Sequence, residues 1–280
     1  MTAPASASAR LADHLPEYLF EALGLGLFMV SAGVFTTAFE APDSWLRAAI
    51  PEPALRRAGV GIAMGLTAIG LIYSPWGRRS GAHLNPAVTL AFLRLNKLGR
   101  LDAIPYVLAQ FTGGLAGVLA TRQLLGTAFT SPPVSWVLTL PGTHGALAAF
   151  IAEAVISAGL MYTVLGLSAS RRFAAYTGLA AGMLIALYVT FEAPLSGMSM
   201  NPARSLASAA PAMMWQHLWI YFLAPILGMQ AAATLHRWRG PRVACAKLMH
   251  TPHERCIHCG YEPGLGARAT SPAAALPGSP

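Results

Sequence analysis

The sequence predicts an all-α membrane protein in which six helices span the bilayer and two shorter helices enter it from opposite sides. Three observations support this prediction: a low content of charge, six long apolar segments, and a motif that occurs once in each half of the chain. Of the 280 residues, 55% are hydrophobic and only 11% are charged, whereas soluble globular domains carry about 25% charged residues. The alternative, a soluble helical bundle with a large core, is disfavoured by this composition.

Six apolar segments are close in length to the about 20 residues that one spanning helix needs. They cover residues 17–39, 57–76, 102–125, 146–168, 173–193 and 215–236. The first residues of the chain lack the basic, apolar and cleavage regions of a signal peptide. We therefore expect the first segment to remain in the protein as a membrane anchor.

The basic residues favour one orientation in the membrane. Most of them lie beside the second and third spans, between the fourth and fifth, or after the sixth, and they are Arg78, Arg79, Arg94, Lys97, Arg100, Arg171, Arg172, Arg237, Arg239, Arg242 and Lys247. An even number of spans places these loops and both termini on one side, which the positive-inside rule makes cytoplasmic. Three arginines in the first outside loop, Arg47, Arg56 and Arg57, oppose this assignment. We expect a multi-pass protein of the plasma (inner) membrane with both termini cytoplasmic. Its net charge of +8 is then explained by its orientation in the lipid bilayer and does not indicate binding to a nucleic acid.

The two halves of the chain repeat each other. Residues 80–92 read SGAHLNPAVTLAF and residues 196–208 read SGMSMNPARSLAS. Glu21 in the first span and Glu153 in the fourth recur in the same way, so each half has three spans with its motif between the second and the third. Three is an odd number, and the second half therefore enters the membrane inverted. Inverted repeats of this kind recur among membrane transporters and channels.

Each motif predicts a helix that is too short to span the bilayer. The two segments run from Pro86 to about Arg94 and from Pro202 to about Pro211. Proline suits the first helical position, and the asparagine before it suits the N-cap. Irregular backbone at this depth is tolerated only where it is buried in protein or lines a cavity, so we expect each loop to do one or the other.

Each motif contains an Asn-Pro-Ala box, which is Asn85-Pro86-Ala87 in the first half and Asn201-Pro202-Ala203 in the second. Arg204 follows the second box. With these features, residues 16 to 238 resemble the aquaporin, or major intrinsic protein, family. The resemblance implies a right-handed bundle of six tilted helices and two half-helices, assembled as a homotetramer with one pore per subunit. It also implies a passive channel for water and other small uncharged solutes that excludes protons and ions, with no enzyme activity and no cofactor for transport.

On this basis the chain divides into four parts. A cytoplasmic N-terminal segment covers residues 1–15, and the channel domain covers residues 16–238, with repeat halves at about 16–125 and 146–238. A cytoplasmic Cys/His-containing tail (residues 239–263) and an end that we expect to be disordered (residues 264–280) follow.

Polar residues in the apolar spans are the candidate pore residues. Asn85 and Asn201 are predicted to cap the half-helices and to offer amide N–H groups to the passing molecule, while the half-helix N-termini repel cations. Arg204 is a functional candidate because arginine is costly within the membrane, and the resemblance places it in the narrowest constriction. Glu21 and Glu153 are predicted to accept hydrogen bonds from the non-helical loops; a proton relay is the alternative.

The resemblance places the rest of the selectivity filter on Met64, Val189 and Met198. Water channels of the family usually carry an aromatic residue, a histidine and a small residue there, and glycerol facilitators carry two aromatics and a glycine. This chain matches neither pattern, and we expect an apolar wall with one polar corner at Arg204. The expected solutes are water together with glycerol or hydrogen peroxide. A count that slips by one residue would replace Val189 with Tyr188 or Thr190.

The tail contains a second candidate site. Cys256 and Cys259 have the spacing of a zinc knuckle, and a closed zinc site needs four ligands, which His250, His253 or Cys245 could complete. A disordered tail with free thiols and a redox sensor are the alternatives.

Three other functions compete with a channel for water. They are a glycerol or small-solute facilitator with little water flux, a secondary transporter coupled to protons through Glu21 or Glu153, and a membrane enzyme or sensor that uses the tail. The spans contain no nucleophile–base pair and no phosphate-binding loop, which disfavours the enzyme.

Overall fold

The structure, a computed structural model, describes residues 7–250 and 255–261 of the chain. Within these residues the protein is helical and has no β-strand, and six of its helices are long and apolar enough to cross a membrane, so the predicted fold class is confirmed. The spanning helices and the two half-helices are α1 (Leu15–Glu40), α2 (Pro53–Tyr73), α3 (Pro86–Arg94), α4 (Arg100–Leu125), α5 (Gly145–Ser168), α6 (Thr177–Phe191), α7 (Pro202–Ala209) and α8 (Leu218–Arg239). The half-helices are α3 and α7.

Short helices connect the longer ones. Single α-helical turns or slightly longer pieces cover Ala7–Asp13, Trp45–Ala49, Pro75–Ser80, Thr127–Thr130 and Ala193–Ser196, and 3-10 turns cover Ser135–Val137 and Ala174–Tyr176. The helix Ala7–Asp13 and the residues after α8 lie on one side of the bundle, which we call the terminal face. The guanidinium of Arg255 pairs there with the carboxylate of Asp13.

Several helix ends differ from the sequence prediction. Helix α2 begins four residues before the predicted 57–76 segment, where Glu52 accepts a hydrogen bond from the N–H of Ala54, and it ends at Tyr73 because Ser74 caps the next short helix. Helix α6 is shorter than the predicted 173–193 segment, because a 3-10 turn precedes it. The sixth span was predicted at 215–236, but His217 has a left-handed backbone (φ 63°) and delays the start of α8 to Leu218.

The second half-helix is also shorter than predicted. It ends at Ala209 and not at Pro211. Helix α8 continues to Arg239, so the predicted channel boundary at residue 238 falls inside the helix.

The two halves pack as equivalent units. Helices α1 and α4 pack along each other, and α5 and α8 form the corresponding pair in the second half. Helices α2 and α6, the second span of each half, contact each other across the centre of the molecule. Apolar side chains are exposed on the outer surfaces of the spans, as a bilayer requires, and examples are Leu19, Leu66, Ile104, Leu108, Ile151, Val155 and Leu227.

Glycines allow the paired helices to approach closely. A Cβ on Gly113 of α4 would overlap the carbonyl of Ala22 in α1, and a Cβ on Gly228 of α8 would overlap the carbonyl of Ala154 in α5. Small residues at helix crossings are typical of membrane proteins, where van der Waals packing drives the association of helices.

Replacing Gly113 with alanine is therefore expected to destabilise the bundle by about 1–3 kcal/mol, the usual cost of overpacking. The measurement is thermal unfolding of the purified protein in detergent. Gly70→Ala is the matched control, because nothing lies within 4 Å of the added Cβ at that position. Equal stability of the two variants would show that α1 and α4 do not cross at Gly113.

Candidate functional site

The N-termini of α3 and α7 lie at the centre of the molecule, and an asparagine caps each of them. The Oδ1 atom of Asn85 accepts a hydrogen bond from the N–H of Ala87 at 2.8 Å. The Oδ1 atom of Asn201 accepts from the N–H groups of Ala203 at 3.0 Å and Arg204 at 3.2 Å. Each N-cap satisfies donors that the first turn of a helix leaves free. The asparagine of each box is therefore the N-cap, and the proline after it is the first helical residue.

The two asparagines also connect the halves of the protein. The Nδ2 atom of Asn85 donates to the carbonyl of Met200, and the Nδ2 atom of Asn201 donates to the carbonyl of Leu84, both at 2.7 Å. Each asparagine was predicted to offer its amide N–H groups to the solute, but in the structure one N–H group of each amide bonds to the other half of the repeat. Because a side-chain amide has two N–H groups, each asparagine keeps one for a molecule in the passage.

The loop before the first box is held by Glu21. This buried carboxylate accepts hydrogen bonds from the Ser80 hydroxyl, the backbone N–H groups of His83 and Leu84, and the amide of Gln110, at 2.6–3.0 Å. Leu84 has a positive φ of 49°, which is uncommon for a residue with a side chain. The carboxylate satisfies the donors of a backbone segment that cannot form helical hydrogen bonds.

Glu153 occupies the equivalent position in the second half. It accepts from the Ser196 hydroxyl and from the N–H groups of Ser199 and Met200, all at 2.7 Å. Both glutamates have the arrangement expected of loop-supporting groups, with their oxygens directed at loop donors.

Glu153→Leu is expected to destabilise the second loop strongly. The three buried donors would lose their acceptor, and each unsatisfied donor costs about 1–3 kcal/mol. Thermal unfolding should show a large fall in stability for Glu153→Leu. The fall should be smaller for Glu153→Gln, because glutamine keeps one carbonyl oxygen as an acceptor. The same pair of variants tests the proton relay, since a relay requires Glu153→Gln to stop transport even in folded protein.

A cavity of about 500 Å³ passes between the two halves. Its lining extends from Glu40 and Arg57, at the ends of α1 and α2 opposite the terminal face, to Leu248 at the terminal face. Asn85 and Asn201 line it midway. Both boxes thus meet at a single cavity.

All four predicted filter residues line this cavity: Met64, Val189, Met198 and Arg204. The neighbours of Val189 have other contacts, since the Thr190 hydroxyl donates to the Ala186 carbonyl at 2.7 Å. The Tyr188 hydroxyl lies against α5, 2.8 Å from the place of a Cβ on Gly159, and neither Tyr188 nor Thr190 lines the cavity. Three of the four residues, Met64, Val189 and Met198, give the cavity lining apolar side chains.

Arg204 has a backbone partner that the sequence did not indicate. Its Nη1 atom donates to the carbonyl of Val137 at 2.7 Å. Val137 ends a turn of three residues with positive φ, which are Ser135 (46°), Trp136 (60°) and Val137 (50°). Any residue can supply a backbone carbonyl, so residue type carries no signal for this contact.

The tail after α8 returns to the terminal-face mouth of the cavity. The backbone N–H of Leu248 donates to the carbonyl of Gly81 at 3.1 Å. The Nε2 atom of His83 lies 2.7 Å from the carbonyl oxygen of Ala246. The tail therefore contacts the loop that leads into the first box.

Four potential metal ligands meet in the tail. The ligand atoms of Cys245, His250, Cys256 and Cys259 all lie within 4.8 Å of one another. The Sγ atoms of Cys245 and Cys256 are 3.4 Å apart, and the Nε2 atom of His250 is 3.2 Å from the Sγ atom of Cys259. His253, another predicted ligand, lies outside the described residues, as does the predicted disordered end at 264–280.

The hydrogen bonds inside this cluster favour a thiolate. The Cys245 thiol is the main cause of the low pKa of Cys256, and the His250 ring adds to the effect. The same contact raises the pKa of Cys245. Because thiolates are the form in which cysteine binds metals, the group has the donor chemistry of a Cys3His zinc site.

Six spans in an inverted repeat, with two half-helices whose N-termini meet at a central cavity, are an architecture of membrane channels and transporters. The sequence profile of the family described as "Major intrinsic protein" matches residues 8–236. The chain belongs to this family.

Relatives with curated descriptions agree with this assignment. The chain is 32% identical over 226 residues to aquaporin NIP1-2 of Arabidopsis thaliana, which covers 79% of this chain and 73% of the relative. It is 37% identical over 172 residues to putative aquaporin NIP4-1 of the same plant, which covers 61% of this chain and 59% of that relative. It is also 32% identical over 199 residues to aquaporin Z of Photorhabdus laumondii, covering 68% of this chain and 86% of the relative. The chain thus spans 59% to 73% of the length of these two plant relatives.

A solved structure has the same fold. The X-ray structure of the aquaglyceroporin from Plasmodium falciparum superposes with a TM-score of 0.66 and covers 80% of this chain and 95% of that chain. The sequence identity is 19%, so this likeness concerns the fold.

Proposed function

We propose that this protein is a passive channel for water and other small uncharged solutes. The single observation that best supports the proposal is the pair of crossed hydrogen bonds from Asn85 to Met200 and from Asn201 to Leu84, both at 2.7 Å. These bonds tie the two boxes together at the centre of the cavity. A transporter with alternating access needs halves that rock against each other around the site, and the crossed bonds favour a fixed pore.

The arrangement of charge explains the exclusion of ions. Two half-helices direct the positive ends of their dipoles at the same point, and each asparagine offers one N–H group there. A neutral molecule that accepts hydrogen bonds is held briefly, while a cation or proton is repelled. Arg204 adds a full positive charge to the lining of the same cavity.

We propose Met64, Val189, Met198 and Arg204 as the selectivity filter. Three apolar side chains offer few hydrogen bonds, so a solute that carries carbon loses less here than in a filter lined by histidine. Methionine is unbranched and adaptable, which suits an aperture for more than one solute. Glycerol and hydrogen peroxide are the expected solutes besides water.

Swelling of proteoliposomes in water, glycerol, urea and hydrogen peroxide gradients tests this proposal. We expect flux that is linear in the gradient, with water and at least one small solute passing. Solute flux without appreciable water flux would indicate a facilitator, and saturable flux that depends on a proton gradient would indicate a coupled transporter. Passage of water alone would contradict the proposed filter.

We also propose a homotetramer in the plasma (inner) membrane, with the terminal face in the cytoplasm. Tetramers are typical of the family, and the basic residues near the terminal face support the orientation. Mass measurement of the detergent-purified protein tests the assembly. A protease added outside intact cells tests the orientation, because it should leave the tail uncut.

A further proposal concerns the tail, which we infer binds one zinc ion. In a tetrahedral Cys3His site, neighbouring ligand atoms are about 3.5–3.8 Å apart, as follows from bond lengths of about 2.0–2.3 Å. The observed group, with all atoms within 4.8 Å, is close to this size. Elemental analysis should find about one zinc per chain, which Cys259→Ser should lower and which the exposed control variant His144→Gln should retain. Metal-free purified protein would contradict the site.

A further inference from the structure

Leu248 lines the cavity at its terminal-face end. Its side chain is only 6% exposed, and it lines the cavity together with Ala82 and Leu160. Leu248 belongs to the tail and not to the bundle, and the helices of the channel are complete at Arg239. A segment outside the six spans therefore contributes an apolar side chain to the path of the solute.

The tail is held at this mouth by hydrogen bonds to the loop before the first box and by burial of Val243, Ala246 and Leu248 in the apolar core. Besides the bonds of Leu248 to Gly81 and of Ala246 to His83, the Nε2 atom of His258 lies 3.2 Å from the carbonyl oxygen of Ser80. Gly81 has a φ of 105°, and a Cβ there would lie 3.3 Å from the Cα of Lys247. The loop thus has a backbone shape that accepts the tail at close range.

The four potential metal ligands lie on both sides of Leu248 in the sequence. Cys245 precedes it, and His250, Cys256 and Cys259 follow it. A metal bound by all four would close residues 245–250 into a short loop with Leu248 inside it. Residues 241–250 have no regular secondary structure, so a metal bound by residues on both sides of Leu248 would restrict the backbone of this segment beyond its packing.

We propose that the tail is a metal-locked cap that narrows the terminal-face mouth of the channel. With zinc bound, the loop holds Leu248 in the lining and limits flux. Without zinc, the loop loses its fixed shape, Leu248 leaves the mouth, and the flux of water and small solutes rises. The inference rests on the proposed zinc site and on the proposed channel activity, and it assigns to the tail the control of permeability by a divalent metal.

The test compares osmotic water permeability in proteoliposomes that contain the full-length, zinc-loaded protein, with and without a zinc chelator on both sides of the membrane. We expect a severalfold rise in permeability on chelation and a return to the starting value when zinc is added back. Cys256→Ser should have high permeability without chelator. Leu248→Ala should also have high permeability, and it should respond little to the chelator although it still binds zinc.

Matched controls separate the cap from other effects. Leu108→Ala removes the same side chain from a lipid-facing position that is 59% exposed, and it should respond to the chelator as the parent protein does. One contrary result is that the parent protein binds zinc and loses it to the chelator without any change in water permeability, with Leu248→Ala as permeable as the parent. That result would overturn the cap but leave the zinc site standing. Purified protein that binds no zinc would overturn both, while water flux in either case would leave the channel proposal standing.

Discussion

Replacing Arg204 with valine is expected to make the channel permeable to small cations. The guanidinium lines the cavity and is held by the carbonyl of Val137 at 2.7 Å, so its charge has a fixed position beside the path. Two unit charges about 4 Å apart interact with about 4 kcal/mol at an effective dielectric constant near 20. Since 1.4 kcal/mol corresponds to a factor of ten, we expect cation permeability to rise by at least about tenfold.

The measurement is the flux of ammonium and potassium into proteoliposomes, with water permeability recorded for the same preparation. Arg171→Val is the matched control, because Arg171 is an exposed arginine of the loop between α5 and α6 and does not line the cavity. A channel with Arg204→Val that remains closed to both cations would show that the half-helices alone exclude them.

The second large effect is expected from rebuilding the filter. The double replacement of Met64 with phenylalanine and Val189 with histidine should narrow the cavity and supply a hydrogen-bonding group for water. A missing polar partner costs about 1–3 kcal/mol, so the ratio of glycerol to water permeability should fall by roughly tenfold or more. The bulkier aromatic side chain and the histidine are each expected to contribute, which the two single variants measure.

Met183→Phe is the control for the added bulk, because Met183 lies on the same helix as Val189 but is 56% exposed on the outer surface. It should leave the ratio of glycerol to water permeability unchanged. An unchanged ratio in the double variant would place the filter elsewhere in the cavity.

The fold could be predicted from the sequence because its main features are compositional. The spans are recognised by their apolar residues, which the bilayer requires, and the two half-helices by the Asn-Pro pair that begins each of them. The ends of the spans were predicted less well, since they depend on local backbone contacts. The start of α8, for example, is set by the left-handed conformation of His217, which its residue type does not determine.

The candidate site was predicted where side chains carry the chemistry. An Asn-Pro-Ala box that recurs in both halves and a glutamate in an apolar span are uncommon enough to be recognised. Asn85, Asn201, Glu21 and Glu153 have the contacts described above. The partners of the asparagines are the backbone carbonyls of Leu84 and Met200, which no residue type identifies.

The position of the tail illustrates the same limit. Cys256 and Cys259 were predicted as ligands from their spacing, and His250, His253 and Cys245 were the candidates for the other places. The contact of Leu248 with the cavity could not be predicted, because a single leucine in an irregular segment forms no pattern. It depends on the shape of the loop at Gly81 and on the length of chain between Arg239 and Cys245.

The central claim is that the two boxes form a fixed pore that passes neutral molecules and excludes protons. It is tested most directly by recording osmotic water flux and proton flux on the same proteoliposomes, with the proton gradient reported by a trapped pH dye. The account predicts water permeability well above that of empty liposomes and proton permeability equal to theirs. Proton flux that rises in proportion to the amount of protein, together with the water flux, would contradict it.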